Sequence, residues 1–274
     1  MIAIALEIQR YKQCMPQYTD ALERLQGILA LQGGWKERIE PCLHIEFEVA
    51  YSKWQVGTPL FADEPLRLSW GLFSKALAEL RAITPVKGTG RDVIDRLLDH
   101  GLASPSCLEM LPADMITEGE ACIHRLANTT GADHDSLVSL LHVILSPFFD
   151  KQAEPYRPWL EAIRWRRGIC PICGAEPWMA RLAHDNGRRL LACSWCRTEW
   201  SYPRLGCPFC GKGEPKARYF HLDTDMAHRV YSCQECRRYI KTVDERALGR
   251  PAILLIEEVV TSHLDALAIG EGYR

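Results

Sequence analysis

The sequence has no long hydrophobic run and almost no net charge. Its apolar stretches, such as PAILLIEEVV, are interrupted by charged residues well before the ~18–20 residues that a membrane span needs. The N-terminus, MIAIALEIQRYKQC, lacks the basic segment and the cleavage site of a secretory signal. Hydrophobic residues make up 47% and charged residues 25%, a composition that argues against disorder. We therefore expect a globular, cytoplasmic protein with no membrane insertion.

The motifs of common enzyme classes are also missing from the first 165 residues. We find no phosphate-binding loop, no dinucleotide fingerprint and no nucleophile elbow there. This part does contain apolar residues spaced three and four apart, which predicts amphipathic helices. The helical segments cover 20–32, 72–83, 92–98, 135–145 and 158–164. Gly33, Gly101 and Pro147 should end three of them, and we expect a helical bundle without catalytic residues.

Cysteine is unevenly distributed along the chain. Of the 12 cysteines, four are scattered through the first 165 residues and eight form Cys-x-x-Cys pairs within 67 positions. The pairs repeat: Cys170-Pro-Ile-Cys173-Gly returns as Cys207-Pro-Phe-Cys210-Gly, and Arg189-Leu-Leu-Ala-Cys193 returns as Arg229-Val-Tyr-Ser-Cys233. Hairpins are predicted inside each copy, around Asp185-Asn186-Gly187 and around Asp223-Thr224-Asp225.

The two copies indicate two metal sites. Two Cys-x-x-Cys turns complete the tetrahedral S4 site that suits structural zinc and mononuclear iron. Because each copy is complete, we assign one ion to each. The first cysteine set is Cys170, Cys173, Cys193 and Cys196, and the second cysteine set is Cys207, Cys210, Cys233 and Cys236. A unit of ~40 residues lacks a sufficient apolar core, so metal binding should supply ~10–16 kcal/mol to its folding.

Other uses of these cysteines compete with this assignment. Alternate turns could pair in a cross-braced arrangement, and a single pair could exchange disulfides, although that chemistry requires a thioredoxin-like setting. Residues 164–250 contain 17 Lys/Arg and 9 Asp/Glu, with aromatic residues beside the arginines, as in nucleic-acid-binding ribbons. Two divalent tetrathiolate sites would remove about four units of that positive charge, so no nucleic-acid partner is expected.

Around the cysteines lies a longer pattern of residues. It comprises Cys170-Pro-Ile-Cys173-Gly174, Pro177, Arg189-x-Leu191-x-Cys193-x-x-Cys196-x-Thr198-Glu199-Trp200, Arg204-x-x-Cys207-x-x-Cys210, Cys233-x-x-Cys236-x-x-Tyr239-Ile240-Lys241, Leu264-Asp265 and Glu271-Gly272-Tyr273. This pattern resembles the FdhE family of formate dehydrogenase accessory proteins over about residues 168–273. The chain departs from the family at Glu257-Glu258, where an aspartate pair is expected.

The resemblance implies a cytoplasmic, non-catalytic factor for maturation of respiratory formate dehydrogenase, which contacts the catalytic subunit of that enzyme before export. It also implies rubredoxin-like iron as the two metal ions, although the residues alone suit zinc equally. A small ribbon cannot bury all its polar and aromatic residues, so we expect an exposed docking surface. The docking candidates are Thr198, Glu199, Trp200, Arg204, Tyr239 and Lys241. An iron electron carrier and a nucleic-acid-binding zinc ribbon are the alternative functions.

The predicted fold class is α+β, with four successive parts. A helical domain spans residues 1–165, the first four-cysteine ribbon spans 168–204 and the second spans 205–245. A C-terminal helix and tail occupy 251–274, with the helix running through Ile256, Val260, His263, Leu264 and Leu267. Both ribbons are expected to be rubredoxin-like or zinc-ribbon modules.

Overall fold

The computed structural model describes residues 2–213, 217–222 and 225–274. It has the predicted α+β fold, with a helical N-terminal region and a sheet that carries the cysteine turns. Two compact units are present. The sheet unit comprises Met1–Gly27, Leu160–Pro171 and Ala175–Arg274, and the helical unit comprises Ile28–Trp159 with Ile172–Gly174. None of the helices within the described ranges is long and apolar enough to span a bilayer.

The two units do not follow the sequence-based division at residue 165. The first 27 residues group with the sheet unit. The reason is an apolar cluster in which Ile8 and Tyr11 from the first helix pack with Ile256 and Val260 near the C-terminus. Whether the four parts predicted from the sequence fold independently stays a prediction.

The helices are bounded as follows: α1 Ile2–Cys14, α2 Thr19–Arg38, α3 Phe47–Gln55, α4 Trp70–Ile83, α5 Thr89–Ala103, α6 Pro105–Glu118, α7 Glu120–Thr130, α8 His134–Ala153, α9 Glu245–Leu248, α10 Leu254–Val260 and α11 Ser262–Gly270. Two 3₁₀ segments cover Pro16–Tyr18 and Glu154–Ala162. The second of these overlaps residues 158–164, where an α-helix was predicted. Pro158 lies inside it, and proline cannot donate the backbone hydrogen bond that an α-helix needs there.

Helix α8 passes through Pro147, where the sequence predicts its end. A proline inside a helix leaves the carbonyl four residues earlier without its usual donor. That carbonyl belongs to Val143, and it accepts a hydrogen bond of 2.7 Å from Nε2 of Gln32. The helix therefore continues because a side chain from α2 replaces the missing backbone donor.

Neither Gly33 nor Gly101 ends its helix, contrary to the prediction. Helix α2 continues past Gly33 to Arg38, and α5 continues past Gly101 to Ala103. At Gly101 the reason is packing, since a Cβ there would lie 2.1 Å from the ring of Trp70. Glycine at this position admits an aromatic ring against the helix rather than stopping it.

The sheet has six strands, β1 Pro177–Leu182, β2 Arg189–Cys193, β3 Glu199–Ser201, β4 Ala217–Leu222, β5 Asp225–Cys233 and β6 Tyr239–Asp244, in the order β3-β2-β1-β6-β5-β4. Neighbours are antiparallel except β1 and β6, which are parallel with Met179 opposite Lys241. The two cysteine copies thus form one continuous sheet. The predicted turn at Asp185-Asn186-Gly187 joins β1 to β2, with Gly187 at a φ of 64°. Asp223 and Thr224, predicted as the second turn, lie outside the described residues.

The C-terminal helix predicted as one element is two helices, α10 and α11. They are separated at Thr261, whose backbone leaves the helical region at φ −108° and ψ 15°. The Thr261 hydroxyl donates to the carbonyl of Glu257 at 2.6 Å. After this break, Leu264 and Ala268 of α11 pack against Val230 of β5. The break therefore lets the second helix follow the sheet instead of leaving it.

Candidate metal centres

The four Cys-x-x-Cys turns share one backbone geometry. In each turn the amide of the first cysteine donates to the carbonyl five residues later, at 2.8–2.9 Å. The residue after the second cysteine has a positive φ, between 57° and 81°, in all four turns: Gly174, Arg197, Gly211 and Arg237. Glycine adopts this conformation without strain, whereas an arginine does so only where the surrounding structure requires it. The sequence repeat is therefore also a repeat of backbone geometry.

These turns bring the eight sulfurs together in two groups of four. The groups are the two sets expected from the sequence repeat, and within each set all four sulfurs lie within 4.8 Å of one another. In the first set all four cysteines are buried. In the second set Cys210 is exposed and Cys236 is partly exposed. The structure therefore pairs adjacent turns and not alternate ones.

The sulfur positions fit one tetrahedral ion per set. Sulfur pairs lie at 3.5 Å for Cys170 and Cys196, and at 3.6 Å for Cys207 with Cys236 and for Cys210 with Cys233. A metal bound at about 2.3 Å to four sulfurs requires about 3.8 Å between them. A disulfide would instead need about 2.05 Å. The donors and their spacing thus suit zinc or iron, and each set can hold one ion.

Polar groups around the first set are placed to stabilise thiolates. The amides of Trp195 and Cys196 both donate to the sulfur of Cys193, at 3.4 Å. The hydroxyl of Thr198 lies 3.1 Å from the sulfur of Cys196. Hydrogen bonds to a coordinating sulfur hold it in place and spread its charge. These contacts make Thr198 a supporting residue of the first site.

The thiols of the second set have different acidities. Burial raises the pKa of the Cys207 and Cys236 thiols above the usual value. Burial acts in the same direction on Cys233, but hydrogen bonds from the amides of Cys236 and Glu235 outweigh it and lower the pKa of Cys233. Because a metal binds thiolates, its binding must displace protons from the buried thiols.

Three of the six docking candidates are buried, contrary to the expectation that they are exposed. Thr198, Trp200 and Lys241 are only 1%, 4% and 3% exposed. The indole Nε1 of Trp200 donates to the carbonyl of Arg167 at 3.0 Å, and Nζ of Lys241 lies 2.6 Å from a carboxylate oxygen of Asp265. Segments before and after the ribbons thus contact Trp200 and Lys241, and short-range sequence patterns do not reveal such contacts.

The other three candidates are at least partly accessible. Glu199 is half-buried and forms an ion pair with Arg181 at 2.7 Å, and the half-buried Tyr239 donates from its hydroxyl to Asp265 at 2.8 Å. Arg204 is exposed. Contact of these residues with a partner stays a prediction, and Arg204 is the candidate best placed for it.

The sheet unit also contains a buried polar cluster that the sequence did not predict. Glu257 is fully buried, and its Oε2 accepts from the hydroxyl of Tyr11 at 2.6 Å and lies 2.8 Å from Nε2 of His228. Nδ1 of His228 lies 2.7 Å from Asp225, and Nη1 of Arg250 lies 3.7 Å from the other oxygen of Glu257. The cluster connects α1, β5 and α10. Its one signal in the sequence is that Glu257 departs from the family pattern.

Comparison with known proteins supports the resemblance. A family model described as "FdhE, central domain" matches residues 169–204. An FdhE homologue of Aquifex aeolicus is 31% identical over 141 residues, which cover 50% of this chain and 47% of that protein. An FdhE homologue of Stutzerimonas stutzeri is 34% identical over 110 residues, covering 39% of this chain and 35% of that protein. The chain thus matches about half or less of the length of these curated relatives.

A solved structure extends the comparison to the whole fold. The crystal structure of the FdhE protein from Pseudomonas aeruginosa superimposes with a TM-score of 0.65 at 20% sequence identity. The match covers 99% of this chain and 91% of that one. At this identity the likeness concerns the fold, including the helical region, for which the sequence alone showed only a general helical character.

Proposed function

We propose that this chain, which is similar to FdhE proteins in its cysteine-rich part and in its fold, is an accessory factor for the maturation of respiratory formate dehydrogenase. In this role it binds the catalytic subunit of that enzyme in the cytoplasm, before export, and performs no catalysis of its own. Its two cysteine sets each hold one metal ion. Iron is the metal that the resemblance implies, and zinc is the alternative with the same geometry.

The observation that carries this proposal is the pair of S4 clusters built into one sheet. Four turns with the same hydrogen bonds hold eight sulfurs in two sets, and β1 and β6 join both copies through parallel pairing. Cysteine fills all four ligand positions of each set, which is the arrangement found in structural metal sites. A rigid sheet of this kind can present a docking surface, and its accessible residues include Arg204.

Co-purification with the catalytic subunit tests the docking surface. Full-length chain carrying Arg204→Glu should recover less of the subunit than wild type, because the substitution reverses an exposed charge. Arg188→Glu is the matched control, since Arg188 is also exposed in the first ribbon but was not a docking candidate. Equal recovery by both variants contradicts docking through Arg204. Failure of the wild-type chain to recover the subunit contradicts the proposed function itself.

Metal analysis of protein purified without oxygen tests the metal sites. We expect about two ions per chain, and an optical spectrum with sulfur-to-metal charge-transfer bands if the metal is iron. An iron-loaded chain whose spectrum changes reversibly with dithionite and air would favour the electron-carrier function, for which the exposed residue Cys210 offers a route. Zinc, which has no redox chemistry, would exclude that function.

A further inference from the structure

Arg189 is a buried cation beside the second cysteine set. It lies in β2, which belongs to the first ribbon, and only 2% of its surface is exposed. Its Nη1 donates to the carbonyls of Gly206 at 2.9 Å and of Arg204 at 3.3 Å. The Gly206 carbonyl belongs to the peptide bond that leads into Cys207. An arginine of the first ribbon therefore holds the segment from which the second cysteine set begins.

Hydrogen bonding leaves most of this guanidinium unsatisfied. Within the described ranges of the chain, Nε and Nη2 of Arg189 have no hydrogen-bond partner, and no carboxylate is among the groups that act on its charge. The guanidinium lies 4.9 Å from the ring centre of Tyr231. Loss of solvent lowers the pKa of Arg189 to about 10, an effect that nearby Tyr231 and Cys207 partly oppose. A buried charge without a counter-charge is strongly unfavourable.

The equivalent arginine of the second ribbon has a carboxylate partner. Arg229 occupies the same place in the repeat, four residues before the first cysteine of a turn. Its Nη2 lies 2.7 Å from a carboxylate oxygen of Asp244. Of two arginines that the sequence makes equivalent, only Arg229 has a carboxylate that balances its charge.

The second cysteine set lies beside Arg189 and becomes negatively charged when its thiols bind a metal. Arg189, Cys207 and Cys233 line the same small cleft. Four neutral thiols do not balance a cation, but four thiolates around a divalent ion carry a formal charge of about −2. We propose that Arg189 is the counter-cation of the second metal site, so that the first ribbon supplies part of the binding energy for the ion held by the second.

This inference rests on the proposed metal sites and has two consequences. Metal binding at the second set relieves the unfavourable burial of Arg189, so Arg189 strengthens binding there and leaves the first set unaffected. The attraction is larger for a divalent than for a trivalent ion, because the tetrathiolate of a trivalent ion carries only about −1. Arg189 therefore biases the second site towards divalent metal.

Site-resolved alkylation measures this role in the intact chain. Metal-loaded full-length protein is exposed to rising concentrations of EDTA and then to iodoacetamide, and mass spectrometry of peptides reports each cysteine set separately. For Arg189→Met we expect alkylation of the second set at about 10–100-fold lower chelator concentration, the usual effect of removing a supporting group around a metal site. Alkylation of the first set should not change.

Two further variants separate charge from packing. Arg229→Met is the matched control, because it removes the equivalent arginine nearer in sequence to Cys233, and it should shift the second set by less than about threefold. Arg189→Lys keeps the positive charge and should restore most of the protection that Arg189→Met loses.

Several outcomes overturn the inference. They are an unchanged second set in Arg189→Met, an equal shift of both sets in that variant, and a loss in Arg189→Lys as large as in Arg189→Met. If neither set is protected in the wild-type chain, the proposed metal sites fail and this inference fails with them. If both sets are protected from alkylation and the Arg189 variants do not change that protection, this inference is refuted while the proposed metal sites stand.

Discussion

The buried charge cluster around His228 makes stability depend on pH in a defined direction. Burial lowers the pKa of His228, but the carboxylates of Asp225 and Glu257 outweigh that effect and raise it to about 9. An unfolded histidine has a pKa of about 6.5. Since the folded protein holds this proton more tightly, the cluster stabilises the protein fully below about pH 6.5 and progressively less as the pH rises through about 9.

The expected size of this effect follows from the shift in pKa. The difference between the folded and unfolded values for His228 corresponds to on the order of 3 kcal/mol of unfolding free energy. The hydroxyl of Tyr11 donates to the same carboxylate oxygen, and the pKa of Tyr11 is raised well above its usual range by burial and by Glu257. Tyr11 therefore stays protonated throughout this pH range, and the change belongs to His228.

Urea unfolding followed by circular dichroism provides the measurement. Metal-loaded wild-type protein and the variant His228→Gln are compared at half-unit steps between pH 6 and pH 9.5. Glutamine occupies a similar volume and does not titrate, so contributions from cysteine protons are common to both proteins and cancel in the difference. The stability advantage of the wild type should decrease by on the order of 3 kcal/mol across this range. Parallel pH profiles for the two proteins would refute the assignment of a raised pKa to His228.

Three other predictions concern the stability of the sheet unit. Chelation should abolish the β-sheet signal in circular dichroism while helical signal persists, and the partly exposed second set should lose metal before the first; an unchanged sheet signal after complete metal removal would contradict this. Gly168→Ala should destabilise the protein by about 3 kcal/mol in urea unfolding, because the new Cβ would lie 1.6 Å from the carbonyl oxygen of Pro208. The control Gly27→Ala has no atom within 4 Å of the new Cβ inside α2 and should be neutral or stabilise by up to about 1 kcal/mol. Leu264→Ala should cost about 2–5 kcal/mol in the same assay, since Leu264 is 1% exposed and packs on Val230; a smaller effect than that of an exposed leucine would count against this packing.

The cysteine sets were predictable because their determinants are local. A Cys-x-x-Cys turn places its two sulfurs by a hydrogen bond that spans five residues, and the repeat shows which turns belong together. The first hairpin was predictable for the same reason, since Gly187 marks a turn between two short apolar strands. Spacing along the chain thus carries this part of the site.

Contacts between distant residues explain what the sequence did not reveal. Helix α8 continues beyond Pro147 because Gln32, more than a hundred residues away, satisfies the freed carbonyl of Val143. Lys241 was expected at the surface, but Asp265 of α11 lies against it in the folded chain. A sequence pattern with the period of a helix or a strand shows only which face of that element is apolar. It does not show which distant residue contacts that face.

The relation between the two metal sites depends on both kinds of information. Duplication makes the sulfur geometry of the sets alike, because each turn carries its own backbone hydrogen bonds. The surroundings are not duplicated, since Arg229 meets Asp244 whereas its counterpart Arg189 crosses from the first ribbon to the carbonyl of Gly206. A tetrathiolate is highly charged, so its metal affinity responds strongly to a nearby buried cation. Two sites with the same ligands should therefore bind metal unequally, and part of the difference should originate in Arg189, which extends from β2 of the first ribbon to the segment that leads into Cys207.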